Sequence, residues 1–400
     1  MEYLETHPWI TFKADLERLS PHTWLMLGEI QSKCEHISKT PLKPPLAKAL
    51  HQVYLAKGAR ATTAIEGNTL SEHEVEKLLQ GKLTLPASKE YLQTEVSNII
   101  AACNEIRDEL FNDTAPCPIT TDYIEGLNGK VLNNLPLDEH VQPGKIRECT
   151  VGVHRYRGAP WQECRYLLDR LCNWICILGA DSLPGQKIAI AVLRAIITHV
   201  YIAWIHPFGD GNGRTARLLE FRLLLEAGVP TPAAHLLSNH YNETRSEYYR
   251  QLDLTSKKRC VINFIEYAVQ GLLDQIRMQL NQINMENIHV YWKDYVYEVC
   301  GGRTETRMRQ RELIIALSRF LLDAKGEVLS KKDLSNITPK IARLYAKKTT
   351  KTLTRDINWL QNHGLMFRHD GRYYPGFHVI FSFMPKRIGP SALMELMSMH

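Results

Sequence analysis

The 400-residue sequence has no Cys-x-x-Cys pair, no run of eighteen uninterrupted apolar residues, no internal repeat and no low-complexity stretch. Each gap excludes something. Without paired cysteines a zinc ribbon or a thioredoxin-type redox centre has no ligands to build on. The nine cysteines are odd in number and scattered, a pattern of core thiols in a reducing compartment; Cys172 and Cys176, four apart, suggest one buried helix face. Without a long apolar run no transmembrane helix is expected. The opening "MEYLETHPWITFKADLERL" has early acids and no apolar core of signal-peptide type, so the cytoplasm is the expected location. Convincing β patterning is nearly absent from the first 300 residues.

What is present is a soluble composition, 44% hydrophobic and 23% charged, on a chain long enough for two or three domains. The net charge of +6 is unevenly placed. Residues 303–400 hold 18 Lys and Arg against 8 Asp and Glu, so the last quarter is basic, the remainder is mildly acidic, and an acidic partner would meet that last quarter.

Helical periodicity dominates. Amphipathic helices are expected at 20–36, 46–66, 71–81 (Ser71 as N-cap, Glu74 three residues on, Gly81 as C-cap), 87–111, 161–179, 186–205, 213–227, 242–255 and 259–285. Residues 143–160, "PGKIRECTVGVHRYRGAP", read as a small hairpin. A connector follows at 286–304. Then come three helices and a strand, Asp-Gly turn and strand in "LMFRHDGRYYPGF", the order of a winged helix-turn-helix. In its third helix Leu353, Ile357 and Leu360 form an inward face that leaves out Lys347, Lys348, Lys351 and Arg355.

The densest chemistry lies in "IHPFGDGNGRTARL", 205–218. A helix apolar on nearly all faces ends by delivering His206, the one group there suited to taking a proton near neutrality. Three glycines follow, free to adopt positive φ and to let a ligand approach main-chain N–H groups. A glycine-rich turn opening a helix is an anion site. Arg214 and Arg217, three apart on its first turn, oppose the helix dipole and so call for a polyanion, which a di- or triphosphate supplies. Asp210 is an oxygen ligand beside that site, of the kind Mg²⁺ takes sparingly. Upstream, Thr62 and Glu66 are one helical turn apart and Gly67 stops the helix. A carboxylate at that end needs either solvent or an outside cation.

His-Pro-Phe-x-Asp-Gly-Asn-Gly-Arg-x-x-Arg is the signature of the Fic (filamentation induced by cAMP) family. The sequence resembles that family at His206, Phe208, Asp210, Gly211, Asn212, Gly213, Arg214 and Arg217, and more broadly over about 45–275. The resemblance implies a mainly α Fic-type helical core with a small hairpin flap, plus a C-terminal winged helix. In ranges, this is an N-terminal helical region at 1–95 with its inhibitory helix at about 46–67, a core at 96–285, the connector, the winged helix at 305–382 and a tail at 383–400. It implies a protein adenylyltransferase that moves AMP from ATP to a Tyr, Thr or Ser hydroxyl of a target protein. His206 would be the base, Asp210 would hold Mg²⁺, and Gly211, Asn212 and Gly213 would form the anion hole. Arg214 and Arg217 would meet the β/γ end, Phe208 would plug the loop into the core, and Tyr248 or Tyr249 would line the nucleotide pocket.

Thr62, Glu66 and Gly67 fit the family's inhibitory pattern, in which Glu66 would pair with Arg217. The implied partners are a target protein, the chain itself included, docked on the flap at 143–160; DNA through 349–372; and a second copy of the chain, with no membrane. Removal of AMP, another nucleotide donor, and an ATP-sensing DNA-binding regulator are the competing readings.

Overall fold

The computed structural model describes residues 1–112, 118–153, 156–179, 184–323 and 329–380. The tail expected at 383–400 and the hairpin tip at His154 and Arg155 lie outside them. The chain divides into two compact units, Met1–Arg277 and Met278–His400.

The first unit is a helical assembly around Lys187–Ile205. That helix is apolar on nearly every face, and Ile188, Val192, Ile196, Val200 and Trp204 are all buried. It is long and apolar enough to cross a membrane, yet 78% of it is buried within the protein; the same pattern serves a core helix. Asn212–Glu226 packs on it most extensively, with Pro21–Lys39 and Cys164–Ile177 on other sides. Pro44–Ala64 and Glu90–Asn112 pack on each other and on Asn212–Glu226. Ser71 caps Glu72–Leu79 with Glu74 closing the capping box, as the spacing suggests. The hairpin is short: Gly152 pairs with Arg157 and Val153 with Tyr156, antiparallel. Cys172 is buried but Cys176 is exposed, so these two thiols do not share one buried face; the helix Cys164–Ile177 turns its last residues to solvent.

In the second unit, most of the expected connector is instead the end of one 38-residue helix, Ile262–Val299. Its Trp292 and Val296 are fully buried in a core with Leu313, Leu317, Ile357 and Leu360. Aromatic residues interleaved with charges at helical spacing masked this. Among the described residues four helices follow rather than three: Glu305–Asp323, Lys331–Leu334, Pro339–Tyr345 and Thr350–Asn362. The unforeseen one, Pro339–Tyr345, starts with Thr338 capping Ile341 N–H and proline in its first turn. The ribbon Met366–His369 with Arg372–Pro375 turns at Asp370 and Gly371, both at positive φ, as a type I′ turn needs. Leu353, Ile357 and Leu360 face inward, and so does Asp356.

Candidate functional site

The apolar helix stops at Ile205, and His206 takes the left-handed conformation with φ 51°. A non-glycine residue holds that geometry only when its surroundings impose it. Here its N–H donates to Ile202 O, and its own carbonyl accepts from Arg147 Nε at 2.7 Å. Phe208 is buried and bridges to Ile146, with Arg147 N–H on Pro207 O. The Asn212 side chain closes the loop on itself, donating to Phe208 O at 2.9 Å and accepting from Phe208 N–H at 3.0 Å. Asn212 therefore spends its amide on shaping the loop, and only its main-chain N–H is left for an anion. Asn128, which the sequence reading passed over, donates to Asp210 O and accepts from Gly144 N–H, tying the loop to the base of the hairpin segment. Gly211 sits at φ 76° as the N-cap of Asn212–Glu226, whose first-turn N–H groups lack in-helix partners.

Both arginines turn inward. Arg217 is 2% exposed. Its Nη2 meets Glu66 Oε1 at 2.5 Å and donates to Thr62 O at 3.0 Å, while its Nη1 lies 3.5 Å from the Tyr248 hydroxyl. Burial alone would ease a proton off this guanidinium, but the Glu66 carboxylate and the tyrosines beside it push its pKa up instead. Glu66 stands in the turn after Pro44–Ala64, Gly67 follows at φ 108°, and Tyr249 donates to Ile65 O. Thr62 thus takes part through its carbonyl. A Cβ at Gly213 would run into Glu66 Oε1, so the glycine is what lets the carboxylate lie on the motif.

Arg214 is also buried, with Nη1 on Glu95 Oε1 at 2.6 Å and Nη2 on both Asp210 oxygens at 3.0 and 3.1 Å. Glu95 in turn accepts from Asn68, which directly follows the Glu66–Gly67 turn. Burial raises the Glu95 pKa, and Arg214 and Asn68 work against that rise. The sequence reading missed Glu95. Its signal was an acid set inside the apolar face Leu92, Val96, Ile99 and Ile106 of one helix, where solvent cannot explain it.

A cavity of ≈ 420 Å³ joins these parts. Its lining includes Glu66, His206 and Gly213 together with Trp204, Tyr249 and Leu252. Tyr248 lines it too, and hydrogen-bonds through its hydroxyl to His199 Nε2 at 2.9 Å, whose Nδ1 lies 3.0 Å from Glu220. The His206 pKa falls to about 4, first through burial and then through the charge of Arg147, with Glu66 and Asp210 opposing. That corrects the expectation of a group titrating near neutrality: the imidazole is a neutral acceptor throughout the physiological range. Residues 118–224, which include the motif, match the profile of the Fic/DOC family.

Over that segment the chain is similar to the Fic/DOC family.

Its relatives point the same way. It is 31% identical over 233 residues to protein adenylyltransferase fic-1 of Caenorhabditis briggsae, covering 56% of this chain and 43% of that protein. It is 25% identical over 252 residues to protein adenylyltransferase Fic of Nematostella vectensis, covering 62% and 55%. The chain spans about half the length of the curated relatives it matches. Among solved structures, a Fic family protein from Desulfovibrio desulfuricans G20 aligns with TM-score 0.55 at 20% identity, over 89% of this chain and 96% of that one. Fic-1 of C. elegans, residues 134–508, aligns with TM-score 0.53 at 24% identity, over 66% and 73%. These two similarities establish the fold.

Among the described residues, no group of three or more His, Cys, Asp or Glu could hold a metal unaided. The Fic loop fits a different arrangement. The Asp210 side chain is about half exposed beside the helix N-terminus, and one carboxylate suffices for Mg²⁺ when phosphate oxygens and water supply the remaining ligands. Such an ion would compete with Arg214 for the same two oxygens.

Proposed function

We propose that the chain is a self-restrained protein adenylyltransferase acting on ATP. The target hydroxyl oxygen attacks the α-phosphorus, the bond to the β-phosphate oxygen breaks, pyrophosphate leaves, and His206 takes the hydroxyl proton. With its pKa near 4, His206 is neutral and ready to accept. The N–H groups of Asn212 and Gly213 would receive the phosphates, joined by that of Gly211 once it releases Asp210 Oδ1, which it meets at 2.5 Å, with Arg214 and Arg217 at the β/γ end. Mg²⁺, held by Asp210 and the phosphates, would supply charge neutralisation of the leaving group. Of the remaining lining, Tyr248, Tyr249 and Leu252 would pack against the nucleotide.

The observation that carries this reading is the 2.5 Å pair between the buried Arg217 and Glu66, which lines the cavity together with His206. A cation needed for a phosphate is already answered by a carboxylate. Incorporation of α-phosphate-labelled ATP into protein tests it, comparing wild type, Glu66→Gly, and Glu66→Gly with His206→Ala. Label in the single mutant that vanishes in the double supports the reading. No label in any, with ATP binding intact, would move the assignment elsewhere. One alternative has an observation behind it: Glu66 lines the cavity along with His206, so it could orient water to remove AMP from a modified protein, which release of AMP from such a substrate would reveal.

For the second unit we propose a winged helix that contacts DNA. Lys351, Arg355 and Asn358 are exposed along one face of Thr350–Asn362, with Arg368 and Arg372 exposed on the ribbon. Asp356, on the opposite face, accepts from Arg309, Gln310 and Tyr345 and so sets which residues point outward. A target protein on the flap, self-association and a cytoplasmic location belong to the same proposal.

A further inference from the structure

We propose that Arg147 is a positioning residue that locks the target-docking flap and the base His206 into a single frame. The inference rests on the adenylyltransferase reading for the roles of flap and histidine, but its geometry stands alone. Arg147 is 4% exposed. Its Nε donates to His206 O at 2.7 Å, Nη1 to Cys149 O at 2.5 Å, and Nη2 to Ala159 O and, at 3.5 Å, to Ile205 O. All four acceptors are main-chain carbonyls. They come from three places: the chain entering the hairpin, the chain leaving it, and the junction where the core helix ends at the left-handed His206.

Only a planar guanidinium presents donors in this fork; a lysine ammonium offers three donors from one point. The packing is built around it. A Cβ on Gly158, at the hairpin's exit, would stand 2.9 Å from both Arg147 Nη2 and His206 Cβ. Arg147 N–H also donates to Pro207 O, and Ala159 N–H to Ile205 O, so two further main-chain bonds join flap and motif at this point. A strand docked on the flap would therefore be registered against His206 through one side chain.

The charge has a second consequence. The groups facing His206 are Arg147 from the flap base, Glu66 from the inhibitory turn and Asp210 from the loop. The two acids favour an imidazolium, whereas Arg147 opposes it and so helps keep the base unprotonated.

The fork and the charge can be separated by two substitutions, Arg147→Lys and Arg147→Met, in the full chain carrying Glu66→Gly. Three readouts apply: NMR titration of the His206 imidazole (assigned against His206→Ala), hydrogen exchange of the Gly158 and Ala159 amides, and self-labelling from α-phosphate-labelled ATP. In Arg147→Met the His206 midpoint should rise by about one pH unit, because a nearby like charge has gone. In Arg147→Lys it should stay at its value in the Glu66→Gly parent, because the like charge is kept. Both variants should exchange the two amides at least ~10-fold faster. Both should lose roughly 10²-fold in kcat for self-labelling, the cost of a misplacement of about 1 Å, while KM for ATP moves less than about twofold because no ATP-cavity residue has changed.

An unmoved His206 midpoint in Arg147→Met, amides that exchange at the parent rate, or an Arg147→Lys variant that labels like the parent would each overturn the proposal. If Arg147→Met loses its helical circular dichroism, the Lys variant decides. If the Glu66→Gly parent itself transfers no label, the adenylyltransferase reading fails, and titration and exchange still judge Arg147.

Discussion

The two units use cations in opposite ways. In the first, Arg214 and Arg217 open a helix yet are buried, each closed off by a carboxylate from another helix or turn: Glu95 at 2.6 Å and Glu66 at 2.5 Å. In the second, Lys351 and Arg355 lie exposed on Thr350–Asn362, while the buried cation, Arg309, is spent on holding that helix through Asp356 at 2.6 Å. A buried guanidinium is costly unless paired, so its partner sets whether a ligand can reach it. An exposed one needs no partner and is open to any polyanion in solution. The first arrangement suits a reaction under restraint, the second a contact ruled by salt.

The contrast can be broken most forcefully at Asp356. Asp356→Ala strands Arg309, Gln310 and the Tyr345 hydroxyl in the core and should cost about 3–5 kcal/mol, read as an early unfolding transition in a thermal melt. An unchanged melt would mean that Asp356 does not set the face of the helix. Next comes Glu66→Gly. Freeing Arg217 removes one buried pair, and if about 3 kcal/mol of restraint is lifted, labelling should rise about 10²-fold; equal labelling of wild type and mutant would remove the restraint from the account.

A third effect is in pH. Only neutral His206 accepts a proton, and its pKa is lowered to about 4 from 6.5. In Glu66→Gly one acid that favours the imidazolium is gone, so the labelling rate should reach its plateau by about pH 4 or below and stay level above it; an acid limb near 6.5 would show an unshifted imidazole. The same depression means that the unfolded chain takes the proton first. The contribution to stability is complete above 6.5 and is lost as pH falls through 6.5 towards 4. Smallest is the paired Lys351→Ala and Arg355→Ala change, which should weaken DNA retention and lower the salt slope by about 2. Retention that remains unchanged and salt-sensitive would sink the recognition-helix assignment.

Sequence reasoning reached the motif loop because its chemistry is local. Seven residues from His206 to Asn212 make the turn, and the glycines and the Asn212 amide act on neighbours within four positions. It reached Glu66 for a related reason, since a carboxylate at a helix end raises the question of its cation before any fold is known. It did not reach Glu95, Asn68, Asn128 or the four-carbonyl grip of Arg147. Each of these acts on a partner tens of residues away, and nothing in a local pattern distinguishes a buried acid that has an arginine from a solvated one. The long helix Ile262–Val299 was broken too early for a similar reason: past 285 its buried positions hold Trp292 and Val296 amid charges and tyrosines, and only a core from later in the chain shows which face is inside.

By itself, then, the sequence determined the helical character, the glycine-rich turn that follows His206, and a helix-end carboxylate at Glu66 that calls for a cation, because helix periodicity, glycine freedom and end charges are short-range. Only the tertiary structure decided that the arginines point inward to acids and that the imidazole titrates near 4. It alone showed the buried Arg147 guanidinium joining the hairpin segment to the turn at His206, because burial and long-range pairing exist only once the chain has closed on itself.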